Sequence, residues 1–415
     1  MSRFFLSRGW LFLLLLPCGL PVQAEQYRSK LLLNPQQALT ESAKLSIREL
    51  ESQFKTLNSD YSRASVGSQL ARHFVQQGDY QKAIEYYRAA LQADALSPII
   101  AADLRRELAE IYLLDKQPQQ ALAVLSSQAA LSTQTDPKLV LTYARIHYQL
   151  GNYLDTADVL EQVMHLLSQQ SQPADQSLLQ QVVALAYGVQ DFALCGRALK
   201  QLIERYSGDP KYWSQMVSVL LKQNKADRAL HYLMLARELG LLQDESNTLL
   251  LSSLYVAQGN PFAGAALLQR DMDAGIVSVS GAHYRTLFEY WWQAREEEKA
   301  LAALAQAAQR TGEEALYLFW AQVLLQQSRW HDMHQVILSL CETPVAPKSL
   351  GQANLLLGIA LYEQGKKDAA FKAFASATFT GGVNTQAGNW LQKLTDEGVQ
   401  VTMPQRPTGP CQSEF

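Results

Sequence analysis

Residues 357–377 read LGIALYEQGKKDAAFKAFASA, and the order of small and large side chains in this stretch decides the architecture. Leu357 and Gly358 are followed by Leu361, then by Gly365, Ala370, Phe374 and Ala377. Those offsets predict two antiparallel helices. Gly358 and Ala370 are small enough to let the helices cross closely, Leu357, Leu361 and Phe374 fill the seam, and Gly365 ends the first helix in the left-handed conformation that glycine adopts without steric cost.

Working outward, the small residue that opens the second helix recurs at Ala83, Ala121, Thr156, Cys195, Ala229, Ala265, Ala300, Met333 and Ala370, at spacings of 33 to 39 residues. Gly78-Asp79-Tyr80 leading to Ala83, Tyr87 and Ala90 is a strong copy, as is Trp213 with Met216, Leu220, Ala229, Leu233 and Ala236. Thr156, Cys195 and Met333 depart from alanine, and Asn260-Pro261-Phe262 adds a residue to the sixth turn. The unit resembles the tetratricopeptide repeat, whose period is about 34 residues. The resemblance implies an all-α, superhelical solenoid of about nine antiparallel helix pairs, because each pair exposes an apolar face that only a neighbour can bury. The repeats are expected over residues 63–380. A helical cap or degenerate repeat is expected over 25–62, with Leu39, Leu45, Ile47, Leu50 and Phe54 on the first repeat. A capping helix is expected over 381–397, where Trp390, Leu391 and Leu394 cover the last pair, and a polar, flexible tail over 398–415.

Residues 1–24 read as a secretory signal peptide: Arg3 and Arg8, an apolar run from Gly9 to Leu16, and Val22-Gln23-Ala24 as the small-residue cleavage site. Pro17 before Cys18 argues against a lipidated cysteine. The mature chain is therefore expected in the periplasm. Without Arg3 and Arg8 it carries 34 basic and 39 acidic side chains, which gives no electrostatic footprint for nucleic acid. A 48% hydrophobic, 18% charged composition excludes a disordered chain, and no later stretch is apolar enough to span a membrane. Cys195, Cys341 and Cys411 are an odd set and imply no disulfide framework. Cys195 and Cys341 read as buried small residues, and Cys411 as an exposed thiol.

Motifs that carry chemistry are absent. There is no His-Glu-x-x-His, no Cys-x-x-Cys, no Gly-x-Ser-x-Gly and no phosphate loop, since Gly365-Lys366-Lys367 is the turn of a repeat. His331 and His334 flank Asp332 without a third ligand, so they read as a solvated helix start rather than a metal site. No catalytic residue, metal or cofactor is expected, and the chain reads as a non-enzyme.

In tetratricopeptide solenoids the first helices line the concave groove. Carried onto this sequence, that register nominates Arg72, Arg106, Arg145 with Tyr148, Tyr187, Lys222 beneath Ser214 and Ser218, Arg285 with Trp292, and Tyr362. Arginines and aromatic residues along a groove suit an extended peptide through charge-assisted and stacking contacts. Trp291, beside Trp292, falls on a core position. The Lys and Asn clamp used for terminal carboxylates is replaced by Ser68 and Arg72.

Three further stretches narrow the resemblance: Asp209-Pro210-Lys211-Tyr212-Trp213, Gly259-Asn260-Pro261-Phe262-Ala263-Gly264-Ala265-Ala266, and Gly358 to Gly365 followed by Gly388-Asn389-Trp390-Leu391. They resemble the exported tetratricopeptide proteins associated with the TonB, ExbB and ExbD energy-transduction systems of aquatic Gram-negative bacteria. That resemblance implies a protein-binding accessory role in TonB-dependent uptake of iron-siderophore or haem, with a periplasmic segment of TonB or a companion subunit in the groove. The alternative is a periplasmic scaffold or chaperone for envelope, secretion or pilus assembly, because fold alone does not select a partner.

Overall fold

The computed structural model describes residues 42–93, 96–126, 136–170, 174–342, 345–379 and 382–402. The signal peptide, Leu39, Cys18, Cys411 and the tail beyond residue 402 lie outside the described residues. The chain divides into two compact units, residues 1–173 and 174–415. Every element among the described residues is helical.

The first unit opens with α1 (Ser42–Thr56) and continues in three pairs: α2 (Asp60–Gln77) with α3 (Tyr80–Gln92), α4 (Pro98–Leu114) with α5 (Pro118–Ser126), and α6 (Pro137–Gln149) with α7 (Tyr153–Gln169). The second unit holds six: α8 (Gln176–Gly188) with α9 (Phe192–Arg205), α10 (Pro210–Lys222) with α11 (Ala226–Glu238), α12 (Glu245–Ala257) with α13 (Pro261–Asp273), α14 (Gly281–Gln293) with α15 (Glu297–Thr311), α16 (Glu314–Gln326) with α17 (Trp330–Cys341), and α18 (Pro347–Glu363) with α19 (Lys367–Phe379). A single helix, α20 (Asn384–Asp396), closes it.

The helices start where the sequence places an acceptor for an orphan amide. Asp79, Asp191, Asp209, Asp244, Asn260 and Ser280 each accept from a backbone N–H two or three residues on. Pro98, Pro137, Pro210, Pro261 and Pro347 occupy first turns, where the missing N–H costs nothing. Each of the nine turns inside a pair then contains one left-handed residue: Gly78, Lys116, Gly151, Gln190, Asn224, Gly259, Arg295, Ser328 and Gly365. In eight units this residue stands five positions before the nominated crossing residue. In the sixth the same interval ends on Gly264 rather than Ala265, so Asn260-Pro261-Phe262 adds no residue. The Gly264 amide bonds to the Asn260 carbonyl as the crossing amide does in the other units, and a Cβ at Gly264 would lie 2.6 Å from the Ser252 carbonyl oxygen.

All nine nominated crossing residues are 0% exposed, Thr156, Cys195 and Met333 included, and Gly264 is buried with them. Thr156 buries its hydroxyl by donating to the Asn152 carbonyl at 2.8 Å. The Cys195 thiol reaches the Val183 carbonyl at 3.5 Å, and burial, helped by Asp191, pushes its pKa up to about 12. Cys195 is a free thiol, whereas Cys341 is disulfide-bonded rather than a buried free thiol as its position suggested.

Polar contacts repeat the period. Gln149 donates to the Leu113 carbonyl, Gln223 to that of Phe192 and Gln364 to that of Trp330, each bracing a first-helix end against the preceding repeat. At the front, Phe54 of α1 meets the Tyr86 ring edge-on at 5.2 Å. At the far end, Trp390 of α20 stacks on Phe374 at 5.2 Å, and Leu394 is fully buried. Residues 399–402 are held rather than frayed at their start: the Val399 amide bonds to Leu394, and Val399 and Val401 pack on the core.

Candidate protein-binding surface

The nominated residues fall into three groups once their partners are known. In the first unit, Arg72 of α2 makes a two-pronged bond to Glu107 of α4 at 2.9 and 3.0 Å, and Glu107 also accepts from Tyr87 at 2.7 Å. Burial alone would raise the Glu107 carboxyl, but hydrogen bonds from Arg72 and Tyr87 hold it below the ordinary carboxylate range. Arg106 is tied to Glu110 at 2.9 Å on its own helix. In the second unit, Arg285 lies between Glu289 at 3.9 Å and Glu313 at 3.6 Å. Tyr362 donates to Glu397 at 2.6 Å, lies 5.1 Å from Trp390 and carries Lys393 over its ring at 4.4 Å, so α20 occupies its face. These four side chains are committed within the fold.

A second group stands free of ion pairs among the described residues. Arg145 is half-buried on α6, Tyr148 rests on Tyr153 at 5.7 Å, and Lys222 is exposed at the end of α10. Trp292 is exposed against Phe288 at 5.9 Å, while its neighbour Trp291 is buried. Phe288 also meets the exposed Phe319 at 5.8 Å, so α14 and α16 share an aromatic strip with Arg285 beside it.

Tyr187 lines a formed cleft. Between the first helices α8 and α10, a cleft of about 400 Å³ is lined by Gln180, Ala184 and Tyr187 on one side and Lys211, Gln215 and Ser218 on the other. Each side is a stripe of residues three or four apart, which helical geometry places on one face. Tyr187 is 45% exposed and its ring is fixed edge-on against Phe192 at 5.5 Å. Tyr212, fully buried, accepts from the side-chain amides of Gln176 at 2.7 Å and Gln180 at 2.5 Å. That anchors Gln180 by its nitrogen and leaves its carbonyl oxygen as an acceptor. Lys211, Gln215 and Ser218 make no side-chain bond among the described residues. The cleft thus offers a cation, an amide, a hydroxyl, an acceptor and an aromatic ring, with no carboxylate among its lining residues. Ser218 was reached by register; Lys222 lies beyond the lining, and Lys211 and Gln215 were missed although they stand on one stripe with Ser218. Among the described residues, no three His, Cys, Asp or Glu side chains converge in a metal-binding group.

No family model matches the sequence, and no match is found among characterised proteins. Among solved structures, the Naa15/Naa10 complex bound to HypK-THB is similar at a TM-score of 0.51 and 11% identity, over 80% of this chain and 58% of that one. A tetratricopeptide repeat protein from Parabacteroides merdae aligns with 60% of this chain and 93% of its own at 15% identity and a TM-score of 0.36. PilF of Pseudomonas aeruginosa aligns with 52% and 93% at 18% identity and 0.35. The architecture rests on the nine helix pairs among the described residues, eight of them crossing on the expected small residue and the sixth on Gly264. The fold is of the tetratricopeptide type. At such identities the likeness concerns the fold, and the partner has to be argued from this chain's own residues.

Proposed function

We propose that the protein is a non-enzymatic scaffold whose tetratricopeptide-type surface holds an extended segment of a partner protein. The observation that carries this reading is the Tyr187 cleft. It offers unpartnered hydrogen-bonding groups and a half-exposed ring held in place by its neighbours, so a bound segment meets groups already oriented and loses little of its binding energy to ordering them. Lys211 favours a segment with an acidic side chain at that end. Further contacts along the first helices, Trp292 and Phe319 among them, would add to the affinity repeat by repeat.

The proposed compartment is the periplasm, and the proposed partner is a subunit of a TonB, ExbB and ExbD system serving iron-siderophore or haem uptake. The signal-peptide pattern of residues 1–24 supports export, and the disulfide at Cys341 fits an oxidising compartment. The short motifs around Asp209, Gly259 and Gly388 support the TonB association. Site-specific photocrosslinking from position 187 in iron-starved cells tests both parts. Capture of TonB, ExbB or ExbD, lost when Lys211 and Gln215 are replaced by alanine, is the expected result. Capture of a secretion or pilus component instead would overturn the TonB assignment while leaving the scaffold reading, and no adduct from position 187 would overturn the cleft as the binding surface.

A further inference from the structure

A second cleft, of about 650 Å³, opens in the second unit between the second helices α11 and α13 and the first helix α12. Met234, Leu251, Tyr255 and Leu267 form an apolar wall. Beside it lies a buried charge: Asp271 is 1% exposed. One of its oxygens accepts from Arg237 Nη2 at 2.5 Å and from Thr248 Oγ1 at 2.7 Å, and the other accepts from Arg270 Nε at 3.1 Å. Two guanidinium groups therefore share one buried carboxylate, while the second carboxylate of the lining, Glu238, is exposed.

The two arginines are not equivalent. Arg237 is 14% exposed and also gives Nη1 to Thr248 at 3.0 Å, so it belongs to the fold. Arg270 is 65% exposed, lines the cleft and is held only through Nε. The outer edge of its guanidinium, with both Nη groups, is uncommitted among the described residues. Such an edge matches a carboxylate with two parallel N–H···O bonds, and Asp271 fixes the fork from behind. Glu238, also on the lining, is exposed and would repel a second anionic group.

We infer that this cleft binds a ligand with a single carboxylate on an apolar body, the carboxylate on Arg270 and the body against Met234, Leu251 and Leu267. The ligand is either a free organic acid or the chain-end carboxylate of a partner protein. No residue of the Tyr187 cleft takes part, so the inference stands or falls separately from the scaffold reading.

Calorimetric titration of the full mature chain tests it, with octanoate as the free-acid probe, N-acetyl-leucine as the chain-end probe and N-acetyl-leucinamide as the uncharged control. One of the two carboxylates is expected to bind at millimolar concentration or below, and the amide is not. Arg270→Gln, at an exposed position and with its fold checked by circular dichroism, is expected to weaken the carboxylate by about tenfold or more, as loss of a charge-assisted pair does. Tyr187→Ala is expected to leave it unchanged. Preference between the probes distinguishes the two ligand sources. Failure of both carboxylates to bind, equal binding of the amide, unchanged affinity in Arg270→Gln, or loss of binding in Tyr187→Ala would each overturn the inference.

Discussion

Replacing Gly358 with alanine tests whether the last pair is set by close helix approach. A Cβ built at Gly358 lies 2.4, 2.5 and 2.8 Å from three carbons of the Phe374 ring, where ordinary contact begins at 3.4 Å. The ring would have to retreat by about an ångström, and it has nowhere to go. Phe374 is fully buried, and its other face stacks on Trp390 at an interplanar angle of 6°. Overpacking of this kind costs roughly 1–3 kcal/mol, while alanine recovers about 1 kcal/mol of helix propensity over glycine. The net expectation is a loss of up to about 2 kcal/mol, concentrated in α18, α19 and α20. Hydrogen exchange resolved by segment is the suitable assay, since repeat arrays do not melt as one unit. Protection in those three helices should fall, with little change in the first unit. The double variant Gly358→Ala, Phe374→Leu should be more stable than the sum of the two single changes predicts, because the smaller side chain yields the space. Protection equal to or above wild type in Gly358→Ala, or strict additivity in the double variant, would refute the reasoning.

Three other outcomes are expected. Lys116→Gly and Arg295→Gly should each stabilise the chain by roughly 0.5–1 kcal/mol in urea titration, because relief of a left-handed side chain outweighs the added freedom of the unfolded glycine. Because Glu107 is held below its ordinary range, its bonds to Arg72 and Tyr87 stabilise the fold above the unfolded carboxylate pKa. That contribution is lost as pH falls through the lower folded value, so Glu107→Gln should lower neutral-pH stability and flatten the acid limb of stability against pH. Cys195 should resist thiol reagents in the native protein near neutral pH and react once denaturant is added; labelling of the native protein at the rate of a free thiol would contradict its burial.

Much of the fold was legible because its determinants are local. The five-residue interval from the left-handed turn residue to the small crossing residue is visible at Gly78 and Ala83 and at Gly365 and Ala370; at Gly259 it ends on Gly264, which an alignment on alanine passes over for Ala265. Lys116, Gln190 and Arg295 take the same turn without a residue type that announces it, so only the period locates them. The site was less legible. Tyr187 was reached by register, but register says nothing of what a side chain bonds. Arg72 meets Glu107 thirty-five residues away and Arg237 meets Asp271 thirty-four away. On separate helices these read as ordinary surface charges. Opposite charges one repeat apart are the signal that would have paired them.

The glutamine braces bear on how such a chain can change. Gln149, Gln223 and Gln364 each donate to a main-chain carbonyl of the unit before, and every amino acid supplies that acceptor. A unit joined this way can be duplicated, deleted or rewritten at its surface, and the next glutamine still finds its bond. The Arg237–Asp271 contact is of the opposite kind, since each partner needs the other's side chain. Where braces of the first kind join neighbours, descent can shuffle the array; at α11 and α13, the order of the units is locked.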